Sequence, residues 1–182
     1  CHNADATDIR ARTESGLGAF DDGKAEEVID FKHMVHAIHA GEVLVYGFGG
    51  NPHDYRHVEF PGEKNACDNC HDGDTFYPLD QNAVLATTID TGADLGDPTD
   101  DVNISPTASA CWGCHQSEDI TEASTPDSAK AHMVQNGASF NATQAADGTL
   151  TDNDTNGVVF ESCQVCHGEG RDSDVAVAHG VN

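Results

Sequence analysis

The chain has 182 residues, 32 of them acidic and 8 basic, for a formal net charge of −24. A surface so negative repels nucleic acid and anionic lipid, favours cationic or basic partners, and keeps the chain soluble. Apolar residues make up 37% and aromatic ones 6%, which leaves an ordinary side-chain core thin.

The expected fold is therefore loop-rich, with a few short α-helices, little β, and something other than side chains filling the interior. One domain over residues 1–182 is expected, with the C-terminal part of a larger protein as the alternative. No apolar run approaches the roughly 20 residues of a membrane-spanning helix; the longest, "EVLVYGF", is far too short, so no transmembrane segment is expected. The clearest element is a helix within residues 26–41, "EEVIDFKHMVHAIHAG", where Phe31, Val35 and Ile38 fall at i, i+4 and i+7 as one apolar stripe. Asp30 is its cap candidate, a start nearer Asp22 is the alternative, and Gly41 is the stop. "LVYGFGGNPHDYRHVEFPGEKN" reads as a loop with at most one short strand. Residues 87–106 and 141–157, rich in Asp, Thr, Asn and Gly, read as surface loops.

Six of the seven cysteines stand in one arrangement used three times: "ACDNCHDGD", "ACWGCHQSE" and "SCQVCHGEG". The unequal spacing between copies marks a recurring motif rather than a solenoid repeat. Disulfide redox, zinc and covalent haem compete for a CxxC pair. A redox CxxC occurs once, beside a βαβ pattern that this chain lacks. A zinc ribbon completes four ligands from two pairs, and it has no need of a histidine directly behind the second cysteine. Covalent haem does need one: each thiol adds across a vinyl group, and the adjacent imidazole then lies beneath the ring with a nitrogen toward the iron. Haem c is thus expected at Cys67 and Cys70, at Cys111 and Cys114, and at Cys163 and Cys166. His71, His115 and His167 become the proximal ligands, and the core is expected to be built around stacked haems. Such attachment takes place outside the cytoplasm, so the protein is expected to be exported.

Eleven histidines are present but only two methionines, Met34 and Met133. That surplus points to histidine as the sixth ligand of each iron. Bis-histidine ligation leaves no open position and, without methionine, gives low potentials, so the chemistry is electron transfer rather than catalysis. His36 and His39 are i, i+3 neighbours on one helix face, able to serve two haems. His33 lies on the same side but is the weaker candidate. His132 and His179 each follow a CxxCH motif and are distal candidates; His53 and His57 read as loop histidines.

Cys1-His2-Asn3 reads either as the tail of a fourth CxxCH or as a lipoprotein cysteine that would tether the chain to a membrane. "CHNADATDIRAR", "FKHMVHAIHAGE", "HVEFPGEKNACDNCH", "ACWGCH" and "CQVCHGEGRDSDVAVAHG" together resemble, in content and order, the carboxy-terminal pentahaem half of the OmcA/MtrC-type outer-surface decahaem cytochromes. The resemblance implies that Cys1 and His2 are the remnant of a fourth haem site. It also implies that His36, His39, His132 and His179 are distal ligands. It further implies a place at the cell surface, in the outer membrane or outside the cell rather than in the periplasm. There electrons would pass to extracellular acceptors, to other multihaem cytochromes, or along a filament of copies of this chain. The first motif of that pentahaem half and the whole amino-terminal half are missing from the chain.

A weaker signal is "DNDTNG", residues 152–157, which matches the first half of a calcium loop. The position of the bidentate glutamate falls on Cys163, so an EF-hand is excluded, although Glu161 remains available to an irregular site. An Asp/Asn turn is the simpler reading. Two rival functions stay open: a multihaem reductase with one substrate-binding iron, and a zinc-stabilised interaction module.

Overall fold

The computed structural model describes residues 2–17, 20–64, 66–73, 75, 85–89, 101–115 and 129–180. Helix α1, Ile9–Ser15, closes on Gly16 at φ 67. Helix α2, Phe31–Ala40, uses both caps expected from the sequence. The Asp30 carboxylate accepts from the Lys32 N–H at 3.1 Å, and Gly41, at φ 75, turns its N–H back to the Ala37 and Ile38 carbonyls. Asp30 and Gly41 suit those places because a short acceptor satisfies an orphan N–H and glycine alone enters the left-handed region cheaply. The buried face of α2 is not the expected stripe, however. His33 and Ala37, one turn apart, are buried, whereas Phe31 is 64% exposed.

The stretch after α2 is a hairpin rather than a loop. Strand β1, Leu44–Gly47, pairs antiparallel with β2, Asn51–Asp54, from Leu44 opposite Asp54 to Gly47 opposite Asn51. Gly49 and Gly50 make the turn, both at positive φ. A second antiparallel sheet has the order β3 (Thr87–Ile89), β4 (Val102–Ile104), β5 (Ala142–Gln144), β6 (Leu150–Asp152). It occupies the two segments expected to be surface loops, of which residues 90–100 lie outside the description. Between and after these strands come α3 (Pro106–His115), α4 (Ala129–Gln135), α5 (Gln164–His167) and α6 (Val175–Ala178).

The expectation of little β and of a core built around haems is therefore corrected. The described residues form two antiparallel sheets and bury apolar clusters of their own. In the largest, Trp112 is 1% exposed and meets Phe140 edge to face at 5.1 Å, with Ile104, Ala108 and Val28 around them. Composition understated this core because small hydroxylated residues share it. Thr87, Ser105, Ser109 and Ser139 are as buried as the aliphatic residues. Each spends its hydroxyl on a partner: Asp30, Glu161, the Pro106 carbonyl and Asp152, in that order. A buried hydroxyl that donates a hydrogen bond adds little cost to an interior.

The N-terminal segment is fastened by charge. The Arg12 guanidinium, fully buried, donates to both Asp8 oxygens and both Asp22 oxygens and to the Leu44 carbonyl. It lies over the rings of Phe20 and Tyr46 at 5.0 and 4.9 Å. A fork of five donors paired in this way suits arginine and not lysine. Asp8 also accepts from the Glu27 and Tyr46 N–H groups, which ties α1 to the approach of α2 and to β1.

Candidate functional site

Each CxxCH motif wraps as a single helical turn. In the first, a 3-10 turn over Cys67–Asn69, the His71 N–H donates to the Cys67 carbonyl at 2.9 Å. The second is the last turn of α3. In the third, over α5, the His167 N–H donates to the Cys163 carbonyl at 2.9 Å. The first cysteine of each pair is half-buried and the second exposed. Burial pushes the thiols of Cys67, Cys114 and Cys163 up and that of Cys111 up to about 12. Among the described residues no three His, Cys, Asp or Glu side chains converge on a point that could hold a metal ion. Tetrahedral zinc would need four.

The histidines do come together, in pairs. The rings of His36 and His71 have centroids 6.2 Å apart, those of His115 and His179 6.2 Å, and those of His132 and His167 6.0 Å. Every pair joins one motif histidine to one that lies outside the motifs. An imidazole nitrogen sits about 2.0 Å from a metal that it binds, and the ring centroid roughly 1 Å beyond. Two imidazoles on opposite sides of one iron therefore have centroids about 6 Å apart, and the three pairs fit that requirement.

Tautomers fit as well. His167 donates from Nδ1 to the Ser173 carbonyl at 2.9 Å, and His179 from Nδ1 to the Val175 carbonyl at 2.9 Å. A carbonyl only accepts, so Nδ1 carries the proton and Nε2 keeps its lone pair, the usual outer-shell arrangement of a metal-binding histidine. Burial lowers the pKa of His36, helped by His71, and that of His115, helped by His179 and His167. Both rings are neutral at neutral pH, the form that binds a metal.

The remaining expected ligands do not pair in this way. His39, exposed, donates from Nδ1 to the Val35 carbonyl at 2.7 Å and meets Phe60 edge-on at 5.3 Å. His2 donates from Nδ1 to the Ile29 carbonyl at 2.8 Å. Both present Nε2 outward. Among the described residues no histidine ring stands opposite either of them, and Cys1 lies outside the described residues. His33 is buried with its Nε2 3.6 Å from Glu27 Oε1. His53 and His57 are exposed near the hairpin.

The second motif lies between the other two. Helix α2 packs on α3 at Gly113, where a Cβ would stand 2.9 Å from His36 Cβ and 3.1 Å from the His33 carbonyl oxygen. On the other side, Cys111 feels the charge of Cys163 and of Glu161. Sequence reasoning missed Gly113, because the two residues inside a CxxCH carry no signal of their own. It did not foresee that Glu161 caps α3. The Glu161 carboxylate accepts from Ser105 Oγ at 2.7 Å and from the N–H groups of Thr107 and Ala108, each at 2.8 Å. Residues 152–157 form the simpler turn: Asp152 accepts from the N–H and the hydroxyl of Thr155, both at 2.8 Å.

Helical turns that carry paired thiols, with imidazoles facing one another across about 6 Å, present the donor set that a c-type cytochrome uses. Residues 1–180 match the family described as outer membrane cytochrome MtrC/MtrF-like, domains II/IV, and the chain belongs to that family. It is a family of exported electron-transfer cytochromes of the outer surface. No curated protein and no solved structure matches the chain. Among the described residues no helix is long and apolar enough to cross a membrane.

Proposed function

We propose that this chain is an electron conduit in which three pairs of histidines hold three c-type haems in a row. His71 and His36 would ligate the haem tethered at Cys67 and Cys70. His115 and His179 would ligate the one at Cys111 and Cys114, and His167 and His132 the one at Cys163 and Cys166. The observation that carries this reading is the repeated ring separation of 6.0 to 6.2 Å between each motif histidine and one partner. Haem iron so held supplies one-electron exchange with both axial positions filled.

The chain's own residues do the rest. The thiols would fix each group covalently, and the Ser173 and Val175 carbonyls hold the rings of His167 and His179 with Nε2 free to bind. The packing of α2 on α3 sets the first and second centres side by side. A fourth haem is proposed at Cys1 and His2, with His39 as a further distal ligand. Residues 1–182 are proposed to act as one multihaem unit at the cell surface. It would exchange electrons with other cytochromes, with copies of itself, or with extracellular acceptors. The family's membership supports that setting.

The test is the intact mass and ferric spectrum of protein matured in a host that exports and attaches haem. The expected result is the polypeptide mass plus three or four haems, with every iron low-spin. A colourless protein of apo mass overturns the reading, and a high-spin iron that shifts with nitrite or sulfite favours a reductase.

A further inference from the structure

The second position inside a CxxCH motif accepts a side chain. Asn69 fills it in the first motif and Val165 in the third, and both are exposed, Val165 at 67%. In the second motif the same place is held by Gly113, which is buried. The backbone does not ask for glycine there, because Gly113 lies within α3 and does not take a positive φ. The helix does not ask for it either, since glycine in a helix interior is about 1 kcal/mol worse than alanine. The neighbour does. A Cβ at Gly113 would stand 2.9 Å from His36 Cβ and 3.1 Å from the His33 carbonyl oxygen, whereas two carbons rest about 3.5–4.0 Å apart. One residue on, Cys114 Sγ lies 4.0 Å from the His36 carbonyl oxygen. We infer that Gly113 is a positioning residue for the first haem centre although it belongs to the motif of the second, its missing side chain letting His36 sit on that motif and face His71.

The two imidazoles of the first centre are placed by different means. His71 follows directly on Cys70 and goes where its own turn goes. His36 has no tether nearby, so its place is that of α2, and α2 rests on α3 at this point through Gly113 and Cys114. Room for a Cβ at Gly113 requires the two helices to part by roughly 1 Å. An iron–nitrogen bond of about 2.0 Å tolerates little of that, and the 6.2 Å between the His36 and His71 rings is the distance at stake. The second centre carries no such load from Gly113, since neither His115 nor His179 meets the space that a Cβ would fill. Axial ligation of the first haem therefore depends on the shape of the second haem's anchor.

This inference rests on the haem assignment proposed above, and the experiment separates the two. Wild type and His36→Ala are first matured with haem and their intact masses taken. Incomplete loading of the wild type, or no high-spin iron in His36→Ala, sinks the parent reading. The ferric low-spin EPR signal that His36→Ala removes marks the first centre. Gly113→Ala is then compared with Asn69→Ala, which changes the equivalent, exposed place in the first haem's own motif. With Gly113→Ala the first centre's low-spin signal is displaced or partly replaced by high-spin iron, while the haem count and the signals of the second and third centres stay. With Asn69→Ala all three signals stay. A first centre unmoved in Gly113→Ala, a change confined to the second centre or shared by all three, or an equal disturbance by Asn69→Ala overturns the inference while leaving the haem assignment intact. Should Gly113→Ala fail to mature, it is combined with His36→Gly, which removes the Cβ that it meets. Maturation of the double variant at the level of His36→Gly alone supports the inference, and its failure to mature counts against it.

Discussion

The His132 and His167 rings stand 6.0 Å apart with their planes at 87°. They are nearly perpendicular, whereas His36 and His71 are tilted by 32° at almost the same separation. Axial imidazoles that are perpendicular leave two iron d-orbitals close in energy, while near-parallel planes split them. The ferric low-spin EPR spectrum is therefore expected to contain one signal of large g anisotropy, from the third centre, beside a more rhombic one from the first. Three indistinguishable rhombic signals would contradict the ring geometry.

His36→Ala removes the ring opposite His71 and leaves Cys67 and Cys70 untouched. One haem is expected to become five-coordinate and high-spin while the denatured mass falls only by the side-chain difference. His39→Ala, lacking a facing ring among the described residues, leaves those three centres low-spin. A high-spin conversion at the first centre in His39→Ala but not in His36→Ala would reverse the pairing.

Gly113 stands inside a helix, where Ala normally gains about 1 kcal/mol over Gly. Here its Cβ would meet His36 Cβ at 2.9 Å and the His33 carbonyl oxygen at 3.1 Å. Crowding a packed contact costs about 1–3 kcal/mol, so Gly113→Ala is expected to lower stability rather than raise it. Chemical denaturation of the loaded protein reads the sign directly, and a stabilised variant would mean that α2 and α3 are not in contact there.

The buried charges give a pH signature. Burial alone would raise Asp22, but the Arg12 fork and the Lys24 N–H outweigh it and hold the carboxyl below its usual range. A depressed carboxylate stabilises the fold above its unfolded value, about 4. That contribution is lost as pH falls through the folded value. Asp22→Asn is therefore expected to cost about 1.5–3 kcal/mol at pH 7, a difference that narrows progressively below pH 4 as wild-type Asp22 takes up its proton. Asp8 behaves oppositely, since burial outweighs the bonds from Tyr46, Arg12 and Glu27 and raises it. A gap between wild type and Asp22→Asn that stays constant from pH 7 to pH 3 would exclude the ion pair as its cause.

What the sequence made legible was local. CxxCH spacing is set by one porphyrin and one helical turn, and the ends of α2 are marked by Asp30 and Gly41, so both could be read from a few adjacent residues. Distal pairing is long-range. His71 meets a residue 35 positions before it, and His115 one 64 positions after it, and only the tertiary fold brings those rings together. The strands were hidden because four of the six are three residues long, too short for alternation to declare itself. Helix α3 was hidden because Trp112 and Ala108 bury one side while Gly113 packs on another, so no amphipathic stripe forms. The capping role of Glu161 was hidden because it holds α3 from more than fifty positions away, a link that no local pattern declares.

A high-resolution structure of the haem-loaded protein tests the three axial pairs most directly. The account predicts His36 with His71, His115 with His179, and His132 with His167, one pair on each iron, with the second haem between the other two. An iron carrying any other pair of these histidines, or one with an open position, would contradict it.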